Sequence, residues 1–256
     1  MANLFRMDLY RMFKARSFKV CLLLTFLFAA GSMPLLKGLT ELAIMFAPGE
    51  SVTPFPPSNP LSDILRSPLS MFGLLLALLS VVFFFYADIE CGYIKNIAGQ
   101  MPKRGFSVLS RYLASVVHSA IFMVTAVIGS VIGTLIVMKL DTGGDLAGAV
   151  LTFFLKLLLL QSICAVLLLV TTSFRSKSFG IVLAVLFGVG AMGLLYAGIE
   201  TALNTVIKGI RFSPYMPDIL LDQKSPDTLR AVLSAAVTIT VFLGLSIRVF
   251  DRKDVK

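Results

Sequence analysis

The feature that most constrains this sequence is a set of long stretches without a charged residue. Four of them contain no Asp, Glu, Lys or Arg over 17 to 27 residues, and they cover 67–87, 112–138, 178–199 and 231–247. An α-helix needs about 20 predominantly apolar residues to cross the hydrocarbon core of a bilayer. Each stretch therefore predicts a membrane-spanning helix.

Two further apolar stretches raise the predicted number of spans to six. Residues 20–36 lie between Lys19 and Lys37, and residues 146–174 contain a single charge, Lys156. The chain is 57% hydrophobic and only 14% charged, with a mean hydropathy of +0.90, which excludes an ordinary soluble domain. Because none of the stretches alternates like the strands of a membrane barrel, we predict an all-α integral membrane fold.

The basic residues are distributed unevenly between the two sides of this predicted topology. With six spans both termini share a side, and the segments of that side hold fifteen of the 23 Lys and Arg residues, against seven on the other side. Cytoplasmic segments of membrane proteins carry an excess of Lys and Arg. We therefore expect both termini to be cytoplasmic, and we attribute the net charge of +9 to this bias rather than to nucleic-acid binding.

Residues 1–17 form a basic segment ahead of the first span. Phe5, Leu9 and Met12 recur at helical spacing, and basic residues lie elsewhere around the helix. This amphipathic pattern predicts an interfacial helix on the membrane surface. A secretory signal peptide is the alternative, because small residues follow the apolar run at 21–30. The length and patterning of the basic segment favour the interfacial helix.

Two segments of the predicted outer side are long. Residues 37–66 contain five prolines, which interrupt regular structure and predict an irregular loop or a short helix around 39–46. Residues 200–230 contain short apolar stretches on either side of Pro214 and Pro217, too short to span a bilayer. We predict a re-entrant pair of short helices there, which needs protein around it because irregular backbone cannot face lipid.

Sequence motifs for catalysis are lacking. The sequence has no G-x-x-x-x-G-K-[ST] loop for nucleotide phosphates and no H-E-x-x-H zinc motif. The spacing G-x-G-x-x-G occurs at Gly188, Gly190 and Gly193, but inside an uncharged run it indicates close helix packing rather than a dinucleotide site. Close helix packing is also indicated by Gly129 and Gly133. We therefore expect no enzyme activity, bound metal or cofactor in this chain.

Two ionisable residues lie inside the predicted spans. For His118, the single histidine of the chain, a packed structural role is favoured over a proton relay. For Lys156 two interpretations stay open. Its ammonium group could extend toward the outer surface or pair with an outer acid such as Glu200, or it could line a substrate pathway.

The segment 88–104, between the second and third spans, is the most informative part of the sequence. Ile94, Ile97 and Met101 stand at i, i+3 and i+7, which predicts a short amphipathic helix ended by Pro102. A helix lying on lipid headgroups is one interpretation of this small apolar face. The other is a protein partner that receives it.

Two patterns carry a family resemblance. The first is Glu90-x-Gly92-x-Ile94-Lys95-Asn96 followed by Pro102-x-Arg104, and the second is F-D-R-K-D-V at 250–255. They resemble the E-x-G-T-[IL]-K-N-x-x-x-x-P-x-[ST]-R pattern and the F-x-x-[KR]-D-[IV] tail of type-2 ABC exporter permeases. Tyr93 replaces the usual Thr, and Lys103 precedes the Arg.

The resemblance implies a single transmembrane domain over 1–256, with the interfacial helix, a coupling helix at 88–104 and the re-entrant segment at 200–230. The coupling helix would dock in a groove of a separate ABC ATPase. Two such ATPase subunits would bind the ATP and Mg²⁺, and a second permease chain, identical or paralogous, would complete a transporter in the bacterial plasma membrane. The implied coupling residues are Glu90, Gly92, Ile94, Lys95, Asn96, Ile97, Met101, Pro102 and Arg104.

The aromatic composition bears on the cargo. The chain has no Trp and six Tyr, against 21 Phe and 11 Met, and so offers soft apolar surface rather than a sugar passage. The resemblance is to the branch that exports lantibiotics and phenol-soluble modulins, which implies an amphipathic peptide cargo. Small hydrophobic drugs or ions are the alternative cargo. A membrane scaffold or sensor subunit is the alternative function, and it would not stimulate a partner ATPase in response to cargo.

Overall fold

The structure, a computed structural model, describes residues 2–46, 56–90, 105–174, 176–193, 201, 220 and 227–252. Most of this part of the chain is helical, which confirms the predicted all-α class. The elements, in chain order, are α1 (Ala2–Lys14), α2 (Arg16–Phe46), β1 (Ser58–Pro60), α3 (Leu61–Arg66), α4 (Met71–Glu90), α5 (Gly105–Val137), β2 (Lys139–Asp141), α6 (Leu146–Phe174), α7 (Lys177–Gly188) and α8 (Thr228–Arg252).

Five helical segments in the described ranges are long and apolar enough to cross a membrane. They agree with five of the six predicted spans and are Arg16–Phe46, Leu61–Ala87, Gly105–Val137, Leu146–Phe174 and Thr228–Arg252. The second of these segments comprises α3 and most of α4. Their length and hydropathy are those of a membrane protein.

The remaining predicted span, 178–199, coincides with a shorter helix. Helix α7 has 12 residues and ends at Gly188, and Gly190 then adopts a positive φ of 76°, which a glycine tolerates at a turn. A helix of this length covers about 18 Å, less than the hydrocarbon core of about 30 Å. Residues 194–200, the end of this predicted span, lie outside the described ranges. The sixth span therefore stays a prediction.

The centre of the bundle is formed by α4 and α6. In the most apolar 18-residue stretch of each span, 56% of the residues are buried for the span that contains α4 and 61% for α6. The corresponding values are 17% for α2 and 11% for α8. Helix α6 is apolar around its whole circumference, and Leu159, Ile163 and Leu167 are fully buried on it. A helix that is hydrophobic on all sides packs in the interior, so α2 and α8 leave most of their apolar side chains on the outside of the chain.

Two predicted glycine contacts are confirmed. A methyl group on Gly129 would lie 2.9 Å from the Ala29 Cβ, and one on Gly133 would overlap the Ala30 carbonyl, so α5 and α2 touch through their backbones. A methyl group on Gly188 would lie 2.7 Å from the Leu75 Cα, which shows the same close approach of α7 to α4. Small residues allow this backbone proximity between membrane helices.

The segment that follows the first span differs from the expected loop. Residues 39–46 are helical, but they extend α2 and do not form a separate helix, even though Pro34 lies inside α2. Two short parallel strands, which the sequence did not predict, then join the chain before α3 to the end of α5. Their register pairs Ser58 with Lys139 and Pro60 with Asp141.

The N-terminal helix forms as predicted, and its predicted apolar face lies against protein. Leu4, Asp8 and Met12, spaced by four residues, are buried, and Phe5 and Leu9 are partly buried against the core. This face packs against α5 and the start of α2. The segment is therefore an amphipathic helix whose buried face contacts protein and includes a carboxylate.

Candidate functional site

The predicted coupling segment joins the ends of α4 and α5. Of the nine predicted coupling residues, Glu90 is the last residue of α4 and is exposed to solvent. The other eight lie outside the described residues: Gly92, Ile94, Lys95, Asn96, Ile97, Met101, Pro102 and Arg104. The structure thus gives the two attachment points of the segment, Glu90 and Gly105, and the surroundings of the second.

A group of buried polar residues surrounds the start of α5. The Ser110 hydroxyl donates a hydrogen bond to the carboxylate of Asp8 on α1, and one guanidinium nitrogen of Arg111 donates to the Ser107 hydroxyl at 3.0 Å. Both Asp8 and Arg111 are only 1% exposed. Buried charges require hydrogen-bonding partners. The Asp8–Ser110 bond joins α1 to α5, whereas the Arg111–Ser107 bond lies within α5.

The same region also contacts the end of α8. The Arg111 guanidinium lies 5.7 Å from the centre of the Phe250 ring, within the range of a cation–π interaction. A methyl group on Gly105 would lie 2.8 Å from the Ile247 Cγ2, so the first residue of α5 touches α8 directly. We call Asp8, Ser107, Ser110, Arg111 and Phe250 the loop-end cluster, because it joins α1, α5 and α8 where the segment 91–104 enters α5.

Sequence reasoning assigned no site role to Asp8 or Arg111. Asp8 is the single acidic residue in the first 40 positions and lies four residues from both Leu4 and Met12. That spacing places a carboxylate on the same helix face as two apolar residues, which is a signal for a buried charge. Arg111 offered no comparable signal, because it lies at the edge of an apolar stretch where a basic residue is expected on topological grounds.

Lys156 is fully buried in α6. Its ammonium group donates a hydrogen bond of 3.4 Å to the carbonyl oxygen of Leu220. Leu220 belongs to the predicted re-entrant segment and is one of its described residues. The burial argues against a side chain that extends to the surface. Glu200, the acid considered as a partner, lies outside the described residues. A role in a substrate pathway stays a prediction.

His118 is buried between aromatic rings and a hydroxyl group. Its Nε2 lies 2.9 Å from the Ser80 Oγ on α4. Its ring stacks on Phe122 with 4.5 Å between centroids and meets the edge of Phe18 at 5.2 Å. These contacts across α2, α4 and α5 bear out the packed structural role.

Comparison with known proteins provides no independent assignment. No family pattern matches the chain. No curated protein matches it either.

Proposed function

We propose that this chain is the membrane-spanning permease subunit of an ATP-driven exporter. In this proposal it lies in the bacterial plasma membrane with both termini in the cytoplasm, pairs with a second permease chain, and exports amphipathic peptides. Two separate ATPase subunits bind and hydrolyse ATP. The observation that carries the proposal is the coupling pattern from Glu90 to Arg104, whose two ends connect long apolar helices.

The surroundings of Gly105 support a role for this segment in transmitting force. A lever must be attached to elements that move together. Helix α5 starts directly after the segment and contacts α1 through Asp8 and Ser110, and α8 through Arg111 and Phe250. A displacement of the segment by a partner would therefore act on three helices at once.

The cargo assignment is supported by composition. The chain has 21 Phe and 11 Met against six Tyr and no Trp, and Met adapts to irregular apolar surfaces. The family resemblance adds the peptide-exporting branch. An amphipathic peptide fits both arguments, and a lysine-containing peptide is the probe of choice.

The decisive experiment uses Ile97→Asp, with Ile97→Leu as the matched control. The chain is co-expressed with its partner ATPase, and co-purification and peptide-stimulated ATP hydrolysis are measured. A buried Asp in an apolar groove costs several kcal/mol, so Ile97→Asp should dissociate or uncouple the complex, whereas Ile97→Leu should retain both properties. Full assembly and full stimulation with Ile97→Asp would show that the segment is an inert surface helix.

A second measurement separates a permease from an ATPase. The purified chain alone should neither bind nor hydrolyse ATP, because its sequence has no phosphate-binding loop. Hydrolysis by a preparation shown by mass spectrometry to be free of ATPase subunits would refute the assignment.

A further inference from the structure

A cavity lies between α2, α3, α4 and α5, far from the loop-end cluster. It reaches Ala126 on α5, 15 residues after Arg111 of that cluster, which corresponds to about 22 Å along the helix. Its volume is about 190 Å³. Cavities of about 150 Å³ can hold a molecule of the size of benzene, so this cavity has room for a small organic group.

Polar residues also line the cavity, namely Asn59, Ser67, Ser70 and Ser130 together with two residues of α2. Thr25 and Ser32 line it, and each hydroxyl donates its proton to a carbonyl of its own helix, that of Cys21 and that of Ala29, both at 2.8 Å. A hydroxyl group has one proton and two lone pairs. Because the proton of each is used within α2, these hydroxyl groups offer the cavity lone pairs.

The lining of the cavity carries a negative charge. Asp63, in the first turn of α3, lines the cavity and is partly buried. Within the described part of the chain, its carboxylate takes part in no ion pair. No Lys or Arg is found among the described residues that line the cavity. The net charge of the lining is therefore negative, which favours a cation.

Part of the lining of the cavity is apolar. It is formed by Met33 of α2, Ile64 of α3 and Ala126 of α5. A bare ion would gain nothing from this wall, whereas an aliphatic chain would bury apolar surface against it.

The donor set also argues against a multivalent metal ion. Hard divalent cations take six or more oxygen ligands, several of them carboxylates. The cavity holds one carboxylate, and the described residues contain no group of three His, Cys, Asp or Glu side chains that could hold a metal. A single negative charge matches a monovalent organic cation.

From these features we infer that the cavity binds a primary ammonium group on an aliphatic stem, as carried by a lysine side chain. The three N–H donors of the ammonium group meet the Asp63 carboxylate and the hydroxyl lone pairs of Thr25 and Ser32, and the stem lies against Met33 and Ile64. An ethanolamine lipid fits less well, because its phosphate would bring a second negative charge close to Asp63. The identification of the stem with a lysine of an exported peptide rests on the proposed function, but the binding of an alkylammonium ion does not.

The test uses the purified full-length chain in phosphatidylcholine nanodiscs without an ATPase. Binding of radiolabelled n-butylammonium is measured by equilibrium dialysis, with unlabelled n-butylammonium, tetramethylammonium and phosphoethanolamine as competitors. Saturable binding is expected, displaced by n-butylammonium but not by tetramethylammonium, which has no N–H donor. Equal displacement by phosphoethanolamine would overturn the lysine assignment in favour of a lipid headgroup.

Variants of the cavity complete the test. Asp63→Asn should weaken binding at least tenfold, and Ala126→Leu, which fills the cavity, should abolish it. Glu41→Gln, at an exposed acid on α2, is the matched control and should bind like the wild type. Absence of saturable binding, or unchanged binding by Asp63→Asn, would overturn the inference. Because no ATPase is present, these outcomes are independent of the assembly experiment with Ile97→Asp.

Discussion

The ammonium group of Lys156 lies 3.4 Å from the carbonyl oxygen of Leu220, although the two residues are 64 positions apart in the sequence. Lys156 is ten residues from the start of α6, about 15 Å along the helix, and is fully buried. Leu220 is also buried, with 2% of its surface exposed. The contact therefore holds a residue of the 200–230 segment against the interior of the bundle.

Replacing the lysine should release that residue locally. In Lys156→Met the stem is kept but the donor to the Leu220 carbonyl is lost, and an unsatisfied buried acceptor costs about 1–2 kcal/mol, a factor of about 5–30 in a local opening equilibrium. We expect a cysteine at position 220, in a background free of native cysteines, to react correspondingly faster with a maleimide. Lys139→Met, at an exposed lysine in β2, is the control. Equal labelling rates in the two variants would contradict a role for the contact.

The spans could be predicted from the sequence because their signal is local and large. The absence of charge over about 20 residues determines the partition into lipid without any knowledge of the neighbouring helices. The same rule was less informative for 178–199, where Gly188 and Gly190 end a helix inside an uncharged run. Hydropathy does not register a turn made by glycine, so the uncharged run does not show where α7 ends.

The contacts of the polar residues could not be predicted, because they depend on pairs far apart in the chain. Asp8 meets a hydroxyl 102 residues later, and Ser80 meets His118 across two helices. Periodicity places a residue on a face of its helix but does not identify the partner of that face. The amphipathic pattern of α1 therefore predicted the helix and not the buried carboxylate.

The Asp8 contact should contribute measurably to the stability of the chain. In Asp8→Ala the Ser110 hydroxyl loses its charged acceptor, which should cost about 1–3 kcal/mol. Heat denaturation in detergent should show an apparent Tm several degrees lower than that of the wild type. Glu41→Ala changes an exposed acid on α2, whose ion pair with Lys37 is exposed as well, and is the comparison. An equal loss of stability in both variants would mean that the buried Asp8 stabilises the chain no more than an exposed acid does.

The glycines of the α2–α5 contact should tolerate no side chain. In Gly133→Ala the new methyl group overlaps the Ala30 carbonyl, so the helix backbones must separate, at a cost of about 1–3 kcal/mol. Gly31→Ala on α2 is a matched control, because no atom lies within 4 Å of its added methyl group. Only Gly133→Ala should lower the midpoint of unfolding in a denaturing-detergent titration. A loss of similar size for Gly31→Ala would indicate a helix contact on that face.

The predicted topology can be tested by cysteine labelling of intact cells with an impermeant reagent. With both termini inside, three positions should be labelled from outside: 50, 142 and 222. Three others should be labelled only after the cells are opened: 2, 100 and 256. Labelling of position 100 from outside would place the coupling segment on the wrong side for an ATPase partner.

The contact between Gly105 and Ile247 should matter for transmission rather than for assembly. Gly105→Leu places a large side chain where a methyl group would already lie 2.8 Å from the Ile247 Cγ2, and so separates the start of α5 from the end of α8. If the segment 91–104 moves these helices together, peptide-stimulated ATP hydrolysis by the complex should fall several-fold while the ATPase still co-purifies. Gly244→Leu lies on the same helix α8 with open space around it, and it should retain wild-type stimulation. Stimulation that is unaffected by Gly105→Leu would show that α5 transmits the displacement without the contact between Gly105 and Ile247.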